Sequence, residues 1–133
     1  MKKKILVVDD EKNILEPVRE VLEEEGYLVD TVTNGAKALE VYQRSLAKHP
    51  YDLILLDIVM PRVSGLEVLN SIRKNEEARG VPTGKGVPII MLSGLRESWL
   101  NDSYQDGCND YIIKPYDPDL LISKVKKMLG EKD

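Results

Sequence analysis

The chain has 133 residues, 42% apolar and 32% charged, with 19 Lys and Arg against 23 Asp and Glu, a formal charge of −4. That size predicts one domain spanning 1–133, burying roughly two thirds of its unfolded surface without metal or disulfide staples. The composition excludes intrinsic disorder, and a sequence pI of about 5.1 argues against a basic duplex-binding module, so no direct nucleic-acid partner is expected. The one cysteine cannot pair within the chain, and no apolar run nears the ~18 residues of a membrane span. A cytoplasmic location without membrane contact is therefore expected. The apolar stretch after Lys2, Lys3 and Lys4 stops at Asp9, too soon for a secretory leader.

In chain order, a first strand is predicted over 5–8. A helix follows with Ile14, Val18, Val21 and Leu22 on one face, and Pro17 within it predicts a kink or a late start. The run 28–32 carries polar residues and suits an edge strand, whereas 5–8, 53–56, 89–92 and 111–113 are nearly continuous and suit strands covered on both faces. Ala38, Leu39, Tyr42 and Leu46 mark the second helix. Leu66, Leu69 and Ile72 mark the third, opened by the capping box Ser64-Gly65-Leu66-Glu67.

Residues 75–88 read as a mobile surface loop. They repeat Gly-Val-Pro at 80–82 and 86–88, and their Thr-Gly-Lys-Gly core lacks Walker spacing. A weakly patterned helix is expected over 96–105. Asp117 and Pro118 supply a cap and a first-turn proline for a last helix that buries Leu121, Val125, Met128 and Leu129 and stops at Gly130. Strand and helix thus alternate five times, which predicts a doubly wound α/β fold, a five-stranded parallel sheet with five helices on both faces and a core over about 4–129.

In such sheets ligands bind beyond the carboxyl ends of the strands. The residues just after the predicted strands are Asp9 and Asp10, Asp57, Ser93, and Lys114 followed by Pro115. Singly, each has a structural explanation: a helix cap for Asp10 or Ser93, a turn toward Pro61 for Asp57, a solvated charge for Lys114. Together they place three carboxylates, a hydroxyl and an ammonium around one crevice. The two net negative charges would be neutralised by one divalent cation, and oxygen ligands with room for water suit Mg²⁺ rather than zinc. Metal, ammonium and hydroxyl stabilise a transferring phosphoryl group, and a carboxylate can accept it. Asp57 ends the most apolar strand, making it the better nucleophile, while the adjacent Asp9 and Asp10 suit metal and its waters.

Val7-Val8-Asp9-Asp10, Asp57-Ile58-Val59-Met60-Pro61 with Gly65, Met91-Leu92-Ser93 and Asp110-Tyr111-Ile112-Ile113-Lys114-Pro115 together resemble the receiver domain of two-component response regulators, over 4–129. The resemblance implies strand order 2-1-3-4-5, the order of the chemotaxis receiver, and a phosphorylation-dependent signalling switch rather than an enzyme. It further implies that Asp57 accepts a phosphoryl group from a histidine kinase. Asp10, Asp57 and the backbone carbonyl of Val59 would hold Mg²⁺ directly and Asp9 through water. Lys114 would pair with the phosphoryl oxygens, Ser93 would donate its hydroxyl to one of them, and Tyr111 would be the aromatic switch. The Lys114–Pro115 bond is expected to be cis.

The output implied is protein binding through the fourth helix, fifth strand and fifth helix, to a target or, in a phosphorelay, to a histidine phosphotransferase. The chain reads as a stand-alone receiver, with a fragment of a longer regulator as the alternative. Gly94 stands where a small residue follows the switch hydroxyl. Val59 and Leu95 are apolar and cannot orient a hydrolytic water, which predicts a long-lived aspartyl phosphate. His49 reads as a surface residue, Cys108 as small and buried, and Trp99 as a partner anchor or a core residue. A haloacid-dehalogenase-type phosphohydrolase would need Asp where Val59 stands. A flavodoxin-like cofactor binder would need a Ser/Thr/Gly-rich loop in place of Asp9-Asp10-Glu11.

Overall fold

A computed structural model describes residues 2–94, 107–115 and 117–131. Its elements are β1 (Lys4–Val8), α1 (Lys12–Glu24), β2 (Leu28–Val32), α2 (Gly35–Ser45), β3 (Leu53–Asp57), α3 (Gly65–Ala78), β4 (Ile89–Ser93), β5 (Asp110–Ile113) and α4 (Pro118–Met128). The helix expected over 96–105 lies outside the described residues, as do Leu95 and Trp99. The five strands form one parallel sheet in the order β2-β1-β3-β4-β5, as expected. The polar run 28–32 is indeed an edge strand.

Successive side chains of a strand point to opposite faces, and the central strands therefore feed two cores. Leu6, Val8, Ile54, Leu56, Ile89 and Met91 join Ala38 and Tyr42 of α2 and Val68, Leu69 and Ile72 of α3 on one face. Ile5, Val7, Leu53, Leu55, Ile90 and Leu92 join Leu15, Val18 and Leu22 of α1 and Leu121 and Val125 of α4 on the other. No aliphatic position of β1, β3 or β4 can be spared: each faces a helix layer.

The helix faces differ in detail from the periodic pattern. α1 meets the sheet through Leu15, Val18 and Leu22, while Ile14 and Val21 are only half-buried. The reason is α4. Ile14, Pro17, Val18 and Val21 face Pro118 and Leu121 across a groove, so the apolar stripe of α1 serves two neighbours. α1 starts at Lys12 and runs on across Pro17, which rules out a late start. In α2, Leu39 and Leu46 are half-buried and Ser45 is buried instead, its hydroxyl donating to the Tyr42 carbonyl at 2.6 Å.

The helix caps behave as their sequences predict. The Ser64 hydroxyl accepts from the Glu67 N–H at 3.3 Å, and the Asp117 carboxylate accepts from the Asp119 N–H at 3.0 Å, with Pro118 in the first turn. Gly130 closes α4 with a positive φ, as expected.

The segment 75–88 is not the mobile loop that its sequence suggests. α3 continues to Ala78, so the connection is only 79–88, and it is tied down. Gly80, at φ +80, ends α3: its N–H bonds the Glu77 carbonyl at 3.0 Å and the next N–H, of Val81, bonds the Glu76 carbonyl at 2.9 Å. This 6→1, 5→2 pair satisfies two carbonyls that a helix end otherwise leaves unpaired. Glu76 is itself buried. Its carboxylate pairs with Arg73 at 2.7 Å and accepts from the Val87 N–H at 2.7 Å, anchoring the far end of the loop to the helix. His49 is half-buried rather than on the open surface, its carbonyl accepting from the Lys4 ammonium at 2.9 Å. Cys108 is buried, as expected.

Candidate functional site

Parallel pairing sets the carboxyl ends of the strands side by side. Val8 pairs with Leu56, Asp57 with Leu92, and Ser93 with Ile113. Asp9, Asp57, Ser93 and Lys114 consequently end neighbouring strands at one edge. The ladder continues just past the strands, with the Ile58 N–H on the Leu92 carbonyl at 3.0 Å and the Lys114 N–H on the Ser93 carbonyl at 2.7 Å.

Glycine lets α3 complete the site. The Gly65 N–H donates to the Ile58 carbonyl at 2.8 Å, and a Cβ on Gly65 would lie 2.0 Å from the Asp57 carbonyl oxygen. No other residue fits there without moving either the α3 start or the end of β3.

The charged groups converge. One oxygen from each of Asp9, Asp10 and Asp57 lies within 4.8 Å of the others. Lys114 Nζ stands 2.8 Å from Asp9 Oδ2 and 3.4 Å from Asp57 Oδ1. Asp9 is fully buried, and its other oxygen accepts from the Glu11 N–H at 2.9 Å. Asp57 is 4% exposed and Ser93 1%, whereas Asp10 is exposed. The adjacent pair is thus divided: Asp9 is bound to protein partners and Asp10 reaches solvent.

Burial pushes the Asp57 carboxyl up to about 7, the Asp9 charge adds to this, and Lys114 opposes it. For Lys114, burial alone would lower the ammonium's pKa, but the hydrogen bond to Asp9 and the charges of Asp57 and Asp9 more than offset it, and the net shift is upward. Lys114 therefore stays protonated, and Asp57 ionises only against the cost of burial beside Asp9. An oxygen-only donor set with one exposed member is what a hard divalent cation requires, so the residues fit the metal that the sequence predicts.

Val59 lies in the exposed turn after Asp57, its side chain 54% exposed. Tyr111 pairs with Met91, two residues before Ser93 on β4, so the Ser93 and Tyr111 side chains share one face of the sheet. Tyr111 packs against the core on the α2–α3 side. The Lys114–Pro115 bond is cis, as expected. Two contributors were not visible in the sequence. Glu11 supplies a backbone donor, a role that no side-chain pattern announces. Lys124 contacts Tyr111 from α4, and their separation of 13 residues in sequence carries no periodic signal.

The response regulator receiver domain model matches residues 5–126. The chain belongs to this family. It is 39% identical over 127 residues to the transcriptional regulatory protein ResD of Bacillus subtilis, covering 95% of this chain and 48% of that protein. It is 35% identical to the response regulator ArlR of Staphylococcus saprophyticus, covering 95% and 52%. The chain thus spans about half the length of the curated relatives it matches. Among solved structures, the chemotaxis response regulator CheY4 of Vibrio cholerae is 27% identical with a TM-score of 0.82, covering 97% of this chain and all of that one (100%). DrrB of Thermotoga maritima, described as an OmpR/PhoB homologue, is 31% identical with a TM-score of 0.78, covering 98% and 54%. This receiver domain is a phosphorylation-dependent signalling module of the flavodoxin-like fold, and its acidic cluster is one that could bind a metal. Among the described residues no helix is long and apolar enough to cross a membrane.

Proposed function

We propose that Asp57 is the phosphoacceptor of this receiver domain and that a histidine kinase is its donor. An Asp57 Oδ attacks phosphorus, the O–P bond forms as the N–P bond of a phosphohistidine breaks, and the leaving imidazole recovers its nitrogen lone pair. The observation that carries this is the placement of the buried Asp57 carboxylate, at the carboxyl edge of the sheet, 3.4 Å from an ammonium that it shares with the buried Asp9. Mg²⁺, held by Asp10, Asp57 and the Val59 carbonyl with Asp9 through water, would supply positive charge against the phosphoryl oxygens. Lys114 would follow a phosphoryl oxygen once Asp57 is phosphorylated, and Ser93 would donate its hydroxyl to another. Withdrawal of that hydroxyl leaves room on the face it shares with Tyr111, which is how the change reaches β5 and its neighbours.

The apolar groove between α1 and α4, about 450 Å³ and bordered by Lys114, supplies a seat beside the acceptor for the helix that presents the donor. Output passes to a protein partner through the β5 and C-terminal helix side, in the cytoplasm.

Incubation with Mg²⁺ and acetyl phosphate, followed by intact mass, tests the assignment. Wild type should gain one phosphoryl group and Asp57→Asn none; equal labelling of both would falsify it.

A further inference from the structure

α4 packs on the α1 side of the sheet, through Leu121 and Val125. Tyr111 packs against the core of the opposite side. Lys124 bridges the two around the β5 edge. Its ammonium donates to the Tyr111 carbonyl at 2.7 Å and to Asp110 Oδ1 at 3.1 Å, and stands 5.2 Å from the centre of the Tyr111 ring. The same Asp110 oxygen accepts from the Tyr111 N–H at 2.8 Å. Asp110 and Lys124 thus hold the backbone on both sides of Tyr111 while the cation faces its ring. Both side chains are largely shielded, at 26% and 19% exposure for Lys124 and Asp110. The contact is consequently less screened than a surface pair.

We propose that Lys124 is a positioning residue for Tyr111, biasing the ring toward its resting position and passing the ring's displacement directly to α4. The proposal rests on the assignment of Tyr111 as the switch. The ring position with Lys124 over its face is the resting one in this proposal. The backbone bonds from Lys124 and Asp110 persist whichever way the ring turns. Of the contacts that Lys124 makes, the one with the ring face is the one that depends on where the ring lies, so through it Lys124 biases the switch. A partly shielded cation–ring contact changes such an equilibrium about two- to fivefold.

The test uses the full chain labelled with 3-fluorotyrosine, the Tyr111 resonance being assigned by its loss in Tyr111→Phe. Beryllofluoride, a phosphoryl mimic, is titrated in the presence of Mg²⁺. The wild-type resonance should move. In Lys124→Met the beryllofluoride concentration at half-conversion should fall about two- to fivefold, and Lys124→Arg should restore it. A wild-type shift with an unchanged midpoint in Lys124→Met overturns the role of Lys124 and leaves the switch standing. So does an equal fall in Lys126→Met, which breaks the 2.8 Å pair between α4 and Glu25 and leaves Lys124 over the Tyr111 ring. A wild-type Tyr111 resonance that stays put while bound beryllofluoride is seen overturns the switch, and the role of Lys124 with it.

Discussion

Asp57→Asn should stabilise the metal-free protein, and the gain should depend on pH in a defined direction. The folded Asp57 carboxyl holds its proton up to about 7 because it is buried beside Asp9, whereas an unfolded Asp releases it near 3.9. Between those values folding takes up a proton, so stability falls as pH rises from about 4 to about 7 and loses nothing further above that. A difference of about 3 pKa units at ~1.4 kcal/mol each sets a ceiling of about 4 kcal/mol at pH 8. The Asp9–Lys114 pair can relax, and about 2 kcal/mol is the expected gain. Asparagine keeps the shape and has no charge to bury. In urea with EDTA at pH 8, followed by far-UV circular dichroism, the midpoint should rise by about 1 M. At pH 5 most of the difference should be gone, because the wild-type group is then protonated in the fold. Adding Mg²⁺ at pH 8 should favour wild type, by about 2.7 kcal/mol at a hundredfold excess over Kd. Equal or lower stability of Asp57→Asn in EDTA at pH 8, or a gain that does not shrink by pH 5, refutes the electrostatic account.

Three other substitutions probe the scaffold. Gly65→Ala drives a methyl into the Asp57 carbonyl oxygen, and it should cost about 2 kcal/mol in urea melts and slow acetyl-phosphate labelling by at least about tenfold; wild-type labelling would show that α3 can withdraw freely. Glu76→Ala removes the carboxylate from Arg73, which keeps its bonds to the Gly107 carbonyl and Asn109, and strands the Val87 N–H; it should cost about 2 kcal/mol while leaving the labelling rate within about twofold, since the clamp lies at the other end of the sheet. Val59→Asn puts a water-orienting group two residues beyond Asp57 and should speed decay of the aspartyl phosphate on the order of tenfold; decay no faster than wild type would show that an apolar neighbour is not what prolongs it.

Much of the architecture was legible because continuous aliphatic runs at strand length admit few alternatives. Once the runs are strands of one parallel sheet, the polar residues that follow them must share an edge, and Asp9, Asp10, Asp57, Ser93 and Lys114 do. Three things were not legible, each set by a neighbour distant in sequence. The face of α1 is shared between the sheet and α4, which a single periodic stripe cannot express. The Asn75-Glu76-Glu77 run looks like solvated loop, yet Glu76 is buried because Arg73 and the Val87 N–H meet it there. That Asp9 rather than Asp10 turns toward Lys114 is set by the fold, and two adjacent identical residues do not distinguish themselves apart from the family resemblance.

The 2.8 Å contact between Lys114 and Asp9 spans 105 positions of the chain. During synthesis the acidic trio leaves the ribosome long before the lysine that balances it. A growing chain therefore carries the three carboxylates before the ammonium that meets Asp9 and Asp57 in the fold, and that contact forms only as β5 docks on β4. A chain ending before Lys114 would lack the ammonium that stands beside Asp9 and Asp57 at the edge of the sheet.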